Sequence, residues 1–489
     1  MYYILCVASV NITSVREEIA RIEQDLSRLS DNGKLSDESR VLFNSLLMIV
    51  NMLVAIFMEK NTRKSSKNSS IPSSQTGEDK SSKPAKVKGN GKGTAQNDEP
   101  FDNSRTVETR EVSEVHHCKH CGENLSGVSV LDHERRTRID IVFEKRVEHT
   151  DAQIKRCPCC DKLNKAEFAA DLAGPIQYGL GVKAYILNLL ITQMVSLSRA
   201  QKLIKTLIGR AISEAVMLKY IVQLHEALET WEQGAINQLL ASPVMHVDET
   251  SLRLDKKNHW VHVYSAGDIT LKRLHAKRGS AAIDQINIIP RYGGVAVHDC
   301  WASYFSYQNC EDALCGSHLL RELEFIIDSN GYAWAKNMKR LLQQTCAKVS
   351  ERKRKKLTAT EYANLQKRYR NILTRGIDQL PARPERPSGK RGRLAQCDAQ
   401  NLWDRLYEHE YAVLLFAYRA DVPFTNNRAE RDLRMGKVKQ KVSGCFRQER
   451  YAVAYCRISS YLQSMAYRGY NPLVAIQIAL SGKLNAHGV

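Results

Sequence analysis

The sequence predicts a multidomain α/β protein, and three observations carry that expectation. The chain has 489 residues, too many for one ordinary hydrophobic core. Its texture changes along its length. Helical periodicity and a Ser/Lys/Gly-rich stretch come first, then two cysteine pairs, and short apolar strand-like runs begin only at residue 243. Hydrophobic residues make up 43%, enough for globular domains over most of the chain. The net charge of +19 adds a class of partner. A chain this basic meets a polyanion, most commonly nucleic acid, although a ribosome-associated protein or one bound to an anionic membrane shares the balance.

The first element, residues 1–60, is helical. Ile12, Val15, Ile19, Ile22, Leu26 and Leu29 recur at steps of three and four, and Leu46, Ile49, Leu53 and Ile56 resume the pattern after a polar break. Such a seam serves either a coiled coil with another chain or a hairpin of two helices on their own chain. The apolar run from Val41 to Met58 approaches the roughly 20 residues that span a bilayer. Asn44, Ser45 and Asn51 interrupt it, so no membrane partner is expected. The start MYYILCVASV has no basic region and does not read as a signal peptide. Residues 61–110 form a linker with almost no large apolar residue, too polar to offset the entropy of ordering. Residues 111–165 hold the cysteine pairs, and the intervening RTRIDIVFEKRVEHTDAQIKR alternates as strands do. Residues 166–242 are helical. LSRAQKLIKTLIGRAISEAVMLKYI places a Gly between two amphipathic segments, which suits a helix-turn-helix or a plain helical hairpin. An α/β region follows over 243–445. Its strands are PVMHVDET, HWVHVYSAG, ITLKRLHA and GGVAVHDC, with a helix around 311–328 and a basic helical stretch over about 331–415. Residues 446–489 form a C-terminal helical segment.

The sequence has thirteen cysteines. Most are scattered singly among apolar residues, a pattern of reducing compartments rather than disulfide frameworks. Four form two C-x-x-C pairs, Cys118 with Cys121 and Cys157 with Cys160. Four thiolates from two such turns make a closed tetrahedral site for one structural zinc. A pair of free thiols or an iron–sulfur site are the alternatives, and Cys159, His117 and His120 are spare ligands.

Two acids stand where apolar strands end: Asp248 in V-M-H-V-D and Asp299 in V-A-V-H-D. A carboxylate there is costly unless something positive neutralises it. Two such strands side by side would bring both carboxylates to one sheet edge, and their repulsion favours a divalent cation. Paired Mg²⁺ ions are the usual device for in-line phosphoryl displacement. The adjacent Glu249 should point to the other face. A third acid, Glu430, lies on a helix in PFTNNRAERDLRMGKVKQKVSGCFR, capped by Asn426 or Asn427. Arg428, Arg431, Arg434, Lys437, Lys439 and Lys441 surround it. A glutamate in that setting is either a surface ion-pair partner or the closing ligand of a metal site beside phosphate-binding cations.

At this point the chain resembles the insertion sequence 66 family of DDE transposases. SPVMHVDET, GGVAVHDCWASY, CGSHLLREL, VPFTNNRAERDLRMGKVKQKVSGCFR and the upstream CKHC…RCPCC carry the resemblance, which covers nearly the whole chain. The resemblance implies a ribonuclease-H-like catalytic core with a helical insertion between the second aspartate and the glutamate. It implies catalytic roles for Asp248, Asp299 and Glu430 with two Mg²⁺ (or Mn²⁺) ions, and supporting roles for His318, Arg321 and Glu322. It implies DNA contacts from the cations around Glu430. It also implies a leucine-zipper-like start and a zinc finger ahead of the core. The expected function is metal-dependent cleavage and strand transfer at an element's terminal inverted repeats, in the cytoplasm on nucleoid DNA. A homo-oligomer is expected, with accessory proteins of the same element as further candidate partners. The rival expectations are a transposase-derived DNA-binding protein without chemistry and a nuclease that cuts without joining. The apolar 41–58 run departs from the usual family start.

Overall fold

The computed structural model describes residues 12–32, 34–62, 64–65, 67–69, 109–138, 144–169, 172, 174–382 and 396–484. Along the chain come α1 (Ile12–Asp31), α2 (Asp37–Asn61), β1 (Ile154–Arg156), β2 (Leu163–Lys165), and α3 (Leu180–Leu187), which runs into a π-helical turn at Asn188–Thr192. Next are α4 (Leu197–Ile208), α5 (Glu214–Ala227), α6 (Glu229–Ala241), β3 (Val244–Leu254), β4 (Lys257–Ala266), β5 (Ile269–His275), α7 (Ser280–Ile286), β6 (Val295–His298) and β7 (Glu311–Leu314). The rest is helical: α8 (Gly316–Asn330), α9 (Ala333–Glu351), α10 (Ala359–Gly376), α11 (Asp398–Glu408), α12 (Glu410–Tyr418), α13 (Asn427–Ser443), α14 (Glu449–Tyr467) and α15 (Pro472–Leu480). Two compact units result, one of Met1–Ala85 with Glu232–Cys456, the other of Lys86–Trp231 with Arg457–Val489.

The first unit is built on a five-stranded sheet of order β5-β4-β3-β6-β7. β3, β4 and β5 form an antiparallel meander, while β6 and β7 run parallel to β3. The meander turns are short. Leu254 pairs with Lys257, leaving only Asp255 and Lys256 in the first turn, both at positive φ (45° and 62°) as a type I′ hairpin requires. Ala266 pairs with Ile269 across Gly267–Asp268, and Gly267 takes the positive φ. The second turn is legible as A-G-D-I; the first, without Gly or Asn, is not.

Two apolar clusters pack on this sheet. Leu252, Leu254, Val261 and Val263 pack against Ala429 and Leu433 of α13 and Ala452 and Cys456 of α14. Val295, Val297, Ala313 and Leu314 join residues of α8 to α12, among them Leu323, Trp334, Leu342, Tyr369, Leu402 and Leu414. The basic stretch between the second aspartate and Glu430 is therefore a helical layer that shares its core with β6 and β7. Its Pro/Gly-rich segment 383–395 lies outside the described residues.

Several expectations are corrected. β3 does not end at Asp248 but runs on to Leu254, so Asp248 is interior to a strand. The apolar period of two continues through Leu252 and Leu254, and β4 pairs along the whole length. The helix expected around 311–328 starts only at Gly316. Residues 311–314 form β7, held by Glu311 N donating to Gly294 O at 3.0 Å and by burial of Ala313 and Leu314. Asn426 precedes α13 without a side-chain capping bond.

α1 and α2 pack on each other, with Asn51 Nδ2 donating to Glu23 Oε1 at 3.0 Å. Half of the heptad seam is nevertheless not spent on that contact: Ile22, Leu29, Leu46, Ile49 and Leu53 are all exposed. α2 is long and apolar enough to cross a membrane by length and composition. Its C-terminal turn is tied into the folded unit. Buried Glu59 accepts from Asp398 N (2.6 Å) and Ala399 N (3.0 Å) at the start of α11 and from Asn330 Nδ2 (3.1 Å).

In the second unit α3, α5 and α15 share a core. α4 ends at Gly209 in the left-handed conformation (φ 74°), and Ser213 caps α5, accepting from Val216 N at 3.3 Å. These are the two helices of the expected helix-turn-helix or hairpin. Within the cysteine-bearing stretch, residues 139–143 of the alternating segment lie outside the described residues. Among the described residues of 109–169, β1 and β2, three residues each, and the isolated bridge His117–Asn124 are the whole of its β-structure. Residues 144–151 are exposed coil.

Candidate active site

β3 and β6 pair in parallel as Val244–Val295, Met245–Ala296 and His246–Val297. Continuing that register by two residues brings Asp248 opposite Asp299. The consequence is electrostatic. Burial, then the charges of Asp299 and Glu249, push the Asp248 carboxyl up to about 8. Asp248 Oδ1 accepts from Glu249 N at 2.8 Å, and Asp299 Oδ1 accepts from Trp301 N at 3.2 Å.

The turn after β6 is held in an uncommon conformation. Cys300 has φ 73°, a left-handed value that costs a non-glycine residue of order 1–3 kcal/mol unless its surroundings impose it. Buried His298 imposes it. Its Nδ1 accepts from Cys300 N at 3.2 Å, which makes Nε2 the protonated nitrogen that donates to Asp312 Oδ1 on β7 at 3.1 Å. The histidine beside each strand acid, noted in the sequence, is thus a brace. His246 does the same on β3, with Nδ1 2.9 Å from Asn426 Oδ1.

Glu249 points away from Asp248, as strand alternation dictates, and is not idle. Arg278 Nε donates to its Oε1 at 2.6 Å and Tyr304 to its Oε2 at 2.9 Å. The Arg278 guanidinium also lies over Trp301, 3.7 Å from the ring centroid. Arg278 and Tyr304 thereby hold Glu249 within the protein, while its charge still acts on Asp248.

Glu430 comes to this edge on the first turn of α13, whose position is fixed at two points. Asn426, fully buried, donates from Nδ2 to Val247 O at 2.8 Å. Asp432, also fully buried, accepts from Ser265 Oγ (2.7 Å), Thr270 Oγ1 (2.6 Å) and Arg428 Nε (3.0 Å). Beneath it lies buried Lys272, whose pKa burial lowers to about 8 against the opposing pull of Asp432. Glu430 Oε1 lies 3.5 Å from His318 Nδ1 and 4.0 Å from Arg321 Nη2. Neither Glu430 Oε1 nor His318 Nδ1, both buried atoms, has a hydrogen-bond partner. His318 also feels Asp248, since its charge lowers the pKa of that carboxyl. Asp248, Asp299, His318 and Glu430 therefore share one locality.

Cys315 completes it. Its buried Sγ accepts from Asn426 N at 3.1 Å. Gly316 lets the start of α8 approach this closely: its N donates to Phe424 O at 2.7 Å, and a Cβ there would overlap the Phe424 ring. Burial disfavours charge on both Cys315 and His318, but their mutual interaction outweighs it. The thiol falls below and the imidazole rises above its ordinary pKa.

The other expected site residues divide. Glu322 turns to Arg405 of α11 in a close ion pair, away from Glu430. Arg428 is engaged in the fold, donating also to Gly267 O at 2.8 Å. Arg434, Lys437 and Lys441 follow Glu430 at steps of four and three along α13 and share its face. Lys437 lies near Asp248, whose charge opposes the lowering of its pKa by burial. Lys439 is half a turn away and half-buried, and Arg431 is exposed beside that face. Sequence reading missed Cys315, Arg278, Tyr304 and Asp432. C-G-S-H, with thiol and imidazole three residues apart before a helical run, was the available signal for the first.

The two cysteine knuckles are alike. Gly122 N donates to Cys118 O and Asp161 N to Cys157 O, both at 2.9 Å, with Gly122 at φ 79° and Asp161 at φ 55°. Backbone N–H groups of Cys121 and His120 lower the Cys118 thiol pKa, and those of Cys160 and Cys159 lower that of Cys157. Each turn is shaped for a thiolate pair. Among the described residues the four thiols are not gathered within 4.8 Å of one another.

A mixed sheet carries acids at adjacent strands, a helix brings a third, and cations run along that helix. The family model described as "Transposase IS66 family" matches residues 175–454, more than half of the chain, and the chain belongs to that family. No curated protein matches it. It is a transposase by family, and a DNA-processing enzyme by that membership.

Proposed function

We propose that the chain cleaves and joins DNA at the terminal inverted repeats of its element, with Asp248, Asp299 and Glu430 as ligands of two Mg²⁺ or Mn²⁺ ions. The observation that carries this reading is the pairing of β3 with β6, which sets two carboxylates together so that one is pushed up to about 8. A buried Glu430 oxygen without a partner adds the third ligand. An all-oxygen donor set with unneutralised charge suits a hard divalent cation. The ions would activate the attacking water or 3′-hydroxyl and stabilise the leaving oxygen. The protein's own part is positioning. Asn426 and Asp432 fix Glu430, His298 fixes the Asp299 turn, and Arg278 holds Glu249. Arg434, Lys437 and Lys441 are the cations best placed to bind phosphates beside Glu430, with Arg431 at their flank.

The sheet order supports a ribonuclease-H-like core, and the α9–α12 layer corresponds to its helical insertion. The matched knuckles support one structural zinc held by Cys118, Cys121, Cys157 and Cys160. Removal of that zinc by a chelator should release one equivalent of metal. The exposed seam of α1 and α2 supports self-association, since two DNA ends must be held together. Glu59, buried against α11, argues against α2 as a membrane span. DNA ends and target, accessory proteins of the element, and a cytoplasmic, nucleoid-associated setting belong to the same reading.

The test is a cleavage and strand-transfer assay with labelled DNA carrying the element's ends. Nicked and joined products that require Mg²⁺ or Mn²⁺ and vanish in Asp299→Ala support the proposal. Metal-independent binding without products favours a DNA-binding relic.

A further inference from the structure

The described residues hold one group of three ligand-bearing side chains of different chemistry, and it shares Glu430 with the carboxylate site. Cys315, His318 and Glu430 each offer a ligand atom within 4.8 Å of the others. We propose that Cys315, His318 and Glu430 form a binding site for a thiophilic divalent ion, with Zn²⁺ as the type case. Occupation of this site withdraws Glu430 from Asp248 and Asp299 and so switches the enzyme off.

The donor set makes the choice of ion. Mg²⁺ takes oxygen ligands and holds several waters, and a thiol with an imidazole gives it nothing. Sulfur, nitrogen and one carboxylate oxygen suit zinc or cobalt, and three protein ligands with one open position are a familiar zinc arrangement. The spacing agrees. Zinc bonds to nitrogen and oxygen of about 2.0–2.1 Å in tetrahedral geometry put those two atoms roughly 3.3 Å apart. His318 Nδ1 and Glu430 Oε1, both buried atoms, stand 3.5 Å apart. Cys315 immediately precedes α8 and His318 lies in its first turn, while Glu430 lies in the first turn of α13. Two helix N-termini therefore converge on the thiol and the carboxylate, and their dipoles favour the anionic forms that bind metal. Asn426 N, already donating to Cys315 Sγ, orients the sulfur. Binding takes a thiolate and a neutral imidazole, so the proton that the Cys315–His318 pair shares leaves to solvent, and no electron moves.

The site stands on its own geometry. The inhibition rests on the reading of Glu430 as a ligand of the Mg²⁺ ions, and the two are tested separately. Metal-stripped full-length protein is titrated with Co²⁺. Wild type should take up one Co²⁺ more than Cys315→Ser or His318→Gln. The difference spectrum should show thiolate-to-cobalt absorption in the near ultraviolet, the knuckle cysteines contributing equally to all three proteins. Equal uptake and identical spectra overturn the site. Should either variant fail to fold, crystals of the wild-type chain soaked in Zn²⁺ decide by anomalous scattering. A peak bonded to Cys315 and His318 supports the site, and ions only elsewhere overturn it. In Mg²⁺-supported cleavage, Zn²⁺ should inhibit wild type at concentrations at least tenfold below those needed for Cys315→Ser. Equal inhibition overturns the switch. Absence of Mg²⁺-supported cleavage would count against the proposed function and leave the cobalt titration standing.

Discussion

Asp248 is the residue at which geometry becomes chemistry. In the folded, metal-free chain its carboxyl is pushed from an ordinary 3.8 up to about 8 by burial and by its acidic neighbours. The unfolded chain releases that proton near 3.8, so between about 4 and about 8 the folded state holds more protons than the unfolded. Metal-free stability should therefore fall as pH rises through that window. A divalent ion replaces the proton, so the gain in Tm on adding Mg²⁺ should be larger at pH 8 than at pH 6. Thermal unfolding of wild type and Asp248→Asn with and without Mg²⁺ checks this, and a pH-independent Mg²⁺ effect in wild type would remove the coupling. Asp248 and Asp299 were legible because each follows an apolar run. Glu249 was legible only as the residue on the other face. The partners that give each acid its role, Arg278, Tyr304 and His298, were not, because they meet through strand register and turn geometry rather than sequence spacing.

Among the elements, α13 decides whether the third acid reaches the sheet edge. It is held from below by Asp432, which accepts from Ser265 and Thr270 on β4 and β5 and pairs with Arg428. Asp432→Ala removes a buried carboxylate from beside Arg428 and Lys272 and should cost about 3–5 kcal/mol, read from denaturant unfolding of wild type and variant. α8 depends on a close approach at Gly316. Gly316→Ala pushes a methyl into Phe424, should cost about 1–3 kcal/mol, and should displace Cys315 and Asn426 from their contact. Loss of DNA cleavage beyond the loss of folded protein would report that displacement. Helix α13 could be read from N-N-R-A-E-R, but Asn426 reads as a cap and acts as a bolt to β3. β7 was hidden because a four-residue strand beside a helix start has no period of its own.

At the scale of the whole molecule, the sequence showed the order of its parts, helical start, cysteine knuckles, helical region and α/β core, because composition changes at each boundary. What the parts contact was not written there. The seam of α1 and α2 is apolar and half of it is exposed, and self-association through it is expected. Leu46→Glu with Leu53→Glu should lower the oligomeric state seen by light scattering while leaving circular dichroism unchanged; an unchanged mass would move the interface elsewhere. The central claim is that Asp299 touches a metal ion during DNA cleavage, and metal-specific rescue tests it most directly. Cysteine at that position offers a softer ligand that Mg²⁺ refuses and Mn²⁺ accepts more readily. The account predicts that Asp299→Cys yields no cleaved DNA with Mg²⁺ and recovers cleavage with Mn²⁺, while Asp299→Ala yields none with either. Cleavage by Asp299→Ala, or Asp299→Cys equally active with both ions, would contradict it.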